Sequence, residues 1–268
     1  MGSVRGTFHQ GNPLVFTPDV VGRQCYLIAS FGILHHKEDS CLDWDSSDLD
    51  FILMSGSALL KQNYHSLPKG HLELLDALKL KYILGGKSFK PVGVYSYGGG
   101  IYSDNTIGSS TSLKEAISQT LHADGACITL GCNTVGLIFI KSEAGNVCQF
   151  ALIDSHSRDE RGNQVVDGLS CLLFFNNIQE VVAHIRGFAK YVIRDFSYDA
   201  INFVEQVPKE VEAVDTDSRE GEGEAIGGPR MRTREKQLRR AIVLTPNTLK
   251  TTTFITKNLQ KSYTSHIR

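Results

Sequence analysis

The sequence predicts an α+β fold in which N-terminal helices pack on an antiparallel β-sheet. Three observations carry that expectation. Apolar residues recur at helical spacing at Leu27, Ile28, Phe31 and Leu34 and again through Leu49, Phe51, Ile52 and Leu53. From Cys127 onward the pattern changes to short runs rich in β-branched and aromatic residues. Turn-forming Gly145-Asn146 and the polar stretch Asp159 to Gly162 separate those runs. At 268 residues and 41% hydrophobic content, the chain can bury a full core without disulfides or metals.

Residues 3–20 are polar and broken by Gly11, Pro13 and Pro18, which predicts an extended segment laid over the domain. Pro18 and Gly22 keep the next helix from reaching upstream, so Cys25 falls in its first turn. Ser46 or Ser47 is placed to cap a second helix, with Trp44 packed beneath it. Leu72, Leu75, Leu78 and Leu80 predict a third helix ended by Gly85-Gly86, and Val92 to Tyr97 reads as a strand followed by three glycines. Ser112 with Glu115 three residues on forms a capping box for a helix from Leu113 to His122. Cys127–Leu130, Val135–Ile140, Val147–Ser157 and Leu169–Phe175 then predict an antiparallel meander. Asn177 caps a last helix with Val181, Val182, Ile185, Phe188 and Val192 on its apolar face.

The compact domain is expected to span 1–204. Beyond it, Glu205 to Glu224 is acidic and lacks aromatics, Gly227-Gly228-Pro229 interrupts, and Arg230 to Arg240 is densely basic. That composition reads as a charged, disordered linker and tail over 205–268. A net charge of −1 gives no general reason to expect nucleic acid or a membrane surface as partner, and the basic run is the one stretch that would suit nucleic acid. Six cysteines form no CxxC pair, and the chain starts without a signal-like apolar run or any stretch long enough to span a bilayer. A reducing compartment, cytoplasmic or nuclear, is therefore expected.

Cys25 is the residue around which the chemistry is organised. Unpaired N–H groups and the positive end of the helix dipole favour its thiolate, the reactive form of cysteine. A cysteine nucleophile needs a base, a group to orient that base, and donors for the developing oxyanion. Asp154-Ser155-His156 lies on a predicted strand, where a separation of two puts the carboxylate and imidazole on one face with Cα atoms about 7 Å apart. Gln10 offers a side-chain amide on a segment that runs back past the helix mouth, where its N–H donors would sit beside the Cys25 backbone N–H.

Each residue has a plainer explanation. A cysteine near an apolar helix is more often a small core residue, and Asp-x-His is frequent in surface loops. Cys127, Cys132 and Cys148 fit no structural zinc pattern and read as buried strand thiols. His35-His36 reads as polar residues at a helix end. Gly98-Gly99-Gly100, beside Tyr95 and Tyr97, would let a narrow extended peptide approach closely, but an ordinary glycine turn is the commoner use.

The order of glutamine, helix-capping cysteine, helices, then a sheet carrying the base is the general layout of papain-like hydrolases. Gln10-Gly11-Asn12, Gly22-Arg23-Gln24-Cys25 and above all Asp154-Ser155-His156-Ser157-Arg158-Asp159-Glu160-Arg161-Gly162 with Asp167-Gly168 resemble the herpesvirus tegument-type ubiquitin-specific proteases and their cellular and transposon-borne relatives. The resemblance covers roughly residues 5–200. It implies a papain-like fold and a thiol-dependent deubiquitinase with Cys25 as nucleophile, His156 and Asp154 completing the triad, and Gln10 lining the oxyanion hole. It also implies ubiquitin or ubiquitin chains as partner, no cofactor or metal, and a monomer with no membrane partner. The alternatives are a catalytically silent ubiquitin-binding module, and a papain-like hydrolase or acyltransferase acting on another modifier.

Overall fold

A computed structural model of the chain describes residues 2–103, 111–189 and 195–207. In chain order these form β1 (Ser3–Arg5), α1 (Cys25–Glu38), a 3-10 turn (Cys41–Asp43), α2 (Ser46–Gln62), α3 (Leu74–Ala77), β2 (Tyr82–Leu84) and β3 (Lys87–Gly100). There follow α4 (Leu113–Gln119), β4 (Gly125–Leu130), β5 (Asn133–Lys141), β6 (Val147–Arg158), β7 (Leu169–Phe175), α5 (Ile178–Ala189) and β8 (Asp195–Glu205). The described residues fall into two compact units, one made by those up to 82 with those of 90–204, the other by 83–89 with 205–207. The expected linker and tail, from residue 208 on, lies outside the described residues.

The larger unit is α+β, as expected. Its sheet runs in the order β1-β7-β6-β5-β4-β8-β3, and β4 to β7 make the anticipated antiparallel meander. α1 is buried on every side from Cys25 to His35, so it shows no polar face at all. It is gripped between two layers. On the sheet side, a Cβ at Gly136 of β5 would lie 2.8 Å from the Ala29 carbonyl oxygen. On the other, a Cβ at Gly56 of α2 would lie 2.7 Å from the Ile28 Cα, so the two helix backbones cross nearly in contact. Gly56→Ala is therefore expected to cost about 1–3 kcal/mol, the range for overpacking, read as a lowered midpoint in urea unfolding with an unchanged slope.

The opposite face of the sheet carries a second core, in which Leu113, Ala116 and Ile117 of α4 and Val181 and Ile185 of α5 cover Phe139, Phe150 and Leu173. Ser112 caps α4 by accepting from the Glu115 N–H at 3.2 Å, and Asn177 accepts from the Glu180 N–H at 3.0 Å. The Phe188 side chain and Val192, expected on the α5 face, lie outside what the structure describes.

Four local expectations are corrected. Asp45, not Ser46 or Ser47, caps α2: its carboxylate accepts from the Ser47 N–H at 2.7 Å, and Asp48 returns the bond to the Asp45 N–H at 2.9 Å. With Asp48 three residues on, Asp45 closes a reciprocal capping box. The predicted third helix shrinks to Leu74–Ala77, because from Leu80 burial alternates through Tyr82 and Leu84, a period of two. In the smaller unit, Gly85 and Gly86, both at positive φ, turn β2 into β3, and Lys87 pairs with Glu205 at 3.3 Å. The three glycines are neither a turn nor an open track. They end β3, and a Cβ at Gly99 would collide with the Thr111 carbonyl oxygen, so the close neighbour is this chain's own backbone.

β8 is absent from the expected element set. Phe196, Tyr198 and Ala200 face one core while Asp199, Ile201 and Phe203 face the other, so both sides are covered and the polar alternation of a half-exposed strand is lost. Asp199 sits inside because the Tyr26 hydroxyl and Ser96 Oγ both donate to its carboxylate, at 3.2 and 2.7 Å.

Candidate active site

Gly22, at φ +77°, turns the chain into Gln24, and Cys25 opens α1. The sulfur is buried and faces the connection between β4 and β5, with Sγ 3.8 Å from the Cys132 carbonyl oxygen. Burial on its own pushes the thiol up. The nearby His156 and His71 rings, the His156 charge and the Thr134 N–H outweigh it and bring the thiol down to about 6.

β6 supplies the imidazole. Its register against β7 shifts between Asp154, opposite Cys171, and Arg158, opposite Leu169, and this bulge carries Ser155, His156 and Ser157. Asp154 Oδ1 accepts from the His156 ring at Nδ1 (2.6 Å) and from the His156 backbone N–H (2.9 Å), while Arg158 Nε donates to Oδ2 at 2.6 Å. Both carboxylate oxygens are thus engaged. Burial opposes its ionisation, but the His156 and Arg158 charges and these hydrogen bonds hold Asp154 well below the usual carboxylate range. Burial likewise disfavours the imidazolium, yet Asp154 and then Cys25 raise His156 to about 9. His156 Nε2 is buried without a hydrogen-bond partner among the described residues. A thiol lowered and an imidazole raised by each other is the signature of a thiolate–imidazolium pair.

Gln10 is held from both sides. Its backbone N–H donates to the Ser155 carbonyl at 2.8 Å, Ser155 Oγ donates to its Oε1 at 3.0 Å, and Gln24 Nε2 donates to its carbonyl oxygen at 2.7 Å. The carbonyl end of the amide is committed. Its NH2 end makes no hydrogen bond among the described residues. Gln10, Gln24, Cys25, Asp154 and His156, from three separate parts of the chain, therefore meet at the mouth of α1.

Several residues of this site went unread in the sequence. Arg158 is the next same-face position after Asp154 and His156, so period-two spacing could have found it. Gln24, immediately before Cys25, is fully buried as the brace of Gln10. His71 carries no local signal. Among the cysteines, Cys127 is buried as expected, but Cys132 and Cys148 are exposed: one lies in the β4–β5 turn, the other near the start of β6. His35 is not a solvated helix end. It is buried and stacks on Trp44 with ring centroids 5.0 Å apart. With Asp39 and Asp48 it forms a cluster whose ligand atoms lie within 4.8 Å, but the Asp48 contact at 3.8 Å and its role in the α2 cap explain it as a buried helix junction.

The chain resembles the crystal structure of the ubiquitin-specific protease encoded by a murine cytomegalovirus tegument protein, solved in complex with a ubiquitin-based suicide substrate. The identity is 14%, the match covers 78% of this chain and 89% of that one, and the TM-score is 0.62. No protein-family model and no curated protein sequence matches the chain. At that identity the likeness establishes the fold: a papain-like arrangement of helices on an antiparallel sheet. Among the described residues no helix is long and apolar enough to cross a membrane.

Proposed function

We propose that the chain is a papain-like cysteine isopeptidase that removes ubiquitin. The carrying observation is the coupling of Cys25, at the N-terminus of α1, to an imidazole whose other nitrogen is fixed at 2.6 Å by a buried carboxylate. The ubiquitin-based ligand of the structural neighbour supports the choice of substrate.

The Cys25 thiolate attacks the carbonyl carbon of the C-terminal glycine of ubiquitin. The oxyanion accepts from the Gln10 NH2 and the Cys25 N–H. His156 then gives its proton to the departing lysine amine, and a thioester remains on Cys25. Neutral His156 takes a proton from water, hydroxide equivalent attacks the thioester, and the thiolate leaves beside the restored imidazolium. No step requires a cofactor.

Covalent capture by a C-terminally electrophilic ubiquitin tests the reading. The adduct is expected with the intact chain, absent in Cys25→Ala, and strongly slowed in His156→Ala. Labelling by a SUMO probe with ubiquitin inert moves the substrate to another modifier. Ubiquitin binding without capture, from intact Cys25, indicates a silent binding module. The rate of capture is expected to rise through about pH 6 as the thiol ionises and to fall through about pH 9 as the imidazolium is lost. Gln10→Ala, which removes one oxyanion donor, is expected to lower kcat by about 10²–10³ with little change in KM, measured by release of a fluorophore from the ubiquitin C-terminus.

A further inference from the structure

The connection between β6 and β7 carries an apolar tip beside the His156 imidazole. Ser157, the residue after His156, holds that tip at three points. The Val165 N–H donates to the Ser157 carbonyl at 3.3 Å, Ser157 Oγ donates to the Val166 carbonyl at 3.1 Å, and the Gly168 N–H donates to the same Oγ at 2.6 Å. The rest of the connection closes on itself. Arg158 bridges to Gln164, and Asp159 Oδ1 accepts from the N–H groups of Arg161 and Asn163, both at 2.8 Å. A Cβ at Gly168 would collide with the Arg158 backbone, so the returning chain lies flush on β6. On this braced support Val166 is 89% exposed and Val165 37%. Turn tips ordinarily carry Gly, Pro, Asn, Asp or Ser, and a β-branched apolar side chain facing water contributes nothing to the turn it occupies.

We infer that Val165 and Val166 form the contact for the departing half of the substrate, the acceptor protein whose lysine carries ubiquitin. This rests on the reading of the chain as a ubiquitin isopeptidase. His156 gives its proton to the lysine amine, so the acceptor leaves past the imidazole. The tip is hydrogen-bonded to the residue next to His156, which puts it on that side of the sulfur.

The charges of the tip define the surface that fits it. Glu160 and Asp167 are exposed there against the single cation Arg161, so the matching acceptor presents an apolar patch bordered by basic side chains. In a ubiquitin chain the acceptor is itself a ubiquitin, linked through one of its own lysines, and it is the acceptor assigned here. The tip is held in place by its own hydrogen bonds, so little ordering cost opposes its burial.

Two ubiquitin substrates separate the halves of the reaction. A fluorophore on the ubiquitin C-terminus has no acceptor protein, whereas di-ubiquitin has one. With Val165→Ser and Val166→Ser combined, the ratio of kcat/KM for di-ubiquitin to kcat/KM for the fluorophore substrate is expected to fall about tenfold, chiefly through KM for di-ubiquitin. Asp167→Lys is expected to lower the same ratio and to weaken its dependence on salt. Di-ubiquitins of every linkage are assayed, and the ratio is taken on those that the intact chain cleaves. An equal loss on both substrates places the valines against the donor ubiquitin or in the fold, and an unchanged ratio makes the tip an ordinary turn; either result overturns the acceptor contact. Release of the fluorophore with no cleavage of any di-ubiquitin overturns it as well. Failure of the intact chain to be captured by the ubiquitin probe is a separate result, which overturns the isopeptidase reading and the acceptor contact with it.

Discussion

Asp154→Asn is expected to lower kcat for ubiquitin hydrolysis by about 10⁴ while the protein stays folded, the loss typical when a triad carboxylate becomes an amide. The cause is visible at its two oxygens. Oδ1 receives Nδ1–H of His156 and Oδ2 receives Nε–H of Arg158, so both positions face donors. An amide has only one oxygen to offer. If that oxygen stays with Arg158, which has no other form, the NH2 faces the His156 ring and selects the tautomer with its lone pair at Nδ1. The proton then sits on Nε2, toward a thiol that needs a base. Loss of the carboxylate charge also drops His156 from about 9, so the alkaline limb of the pH profile moves down in the same variant. KM is expected to hold, because Asp154 is buried behind His156. A loss under tenfold would remove Asp154 from the machinery.

Arg158→Ala is expected to cost about 3–5 kcal/mol in unfolding free energy, the largest stability effect predicted for a single side chain here. Arg158 is 1% exposed, and its guanidinium reaches the buried Asp154 carboxylate across the β6 bulge. Removing it takes from the buried Asp154 carboxylate one of its two charged partners and opens a cavity the size of a long side chain. Urea unfolding measures the loss. A double-mutant cycle assigns its cause: in the Asp154→Asn background the same replacement is expected to cost clearly less, because no charge is left behind. Equal costs in both backgrounds would mean that packing alone accounts for the effect.

The fold was legible where local rules and burial agree. The meander from β4 to β7 could be read because β-branched runs alternate with turn residues at Gly145-Asn146 and Asp159 to Gly162. α1 was legible from its apolar spacing, and the cap of α4 from Ser112 and Glu115. β8 was not, since a strand covered on both faces loses its alternation and since Asp199 and Asn202 read as loop residues until Tyr26, Ser96 and the Asp124 N–H supply their partners. The same contrast runs through the site. Asp154 and His156 are two apart in sequence, so their nearness was legible, although a bulge rather than a regular pleat makes the contact. Gln10 and Cys25 needed the order of motifs as well, because their junction is made by Gln24 and Ser155 across the tertiary structure. His71 had no such support. Its place beside Cys25 depends on the path of a segment between α2 and α3 that no periodicity describes.

The bonds around Gln10 also bear on how the protein is made. Ser155 and Gln10 are 145 residues apart along the chain, and the brace they form depends on a strand in the second half of the domain. During synthesis Gln10 and Cys25 leave the ribosome long before His156 does. Contacts of such long range carry the loop-closure entropy that slows folding. A nascent or half-folded chain therefore carries Cys25 as a thiol with an ordinary affinity for protons. The coupled Cys25–His156 pair arrives only with the native topology.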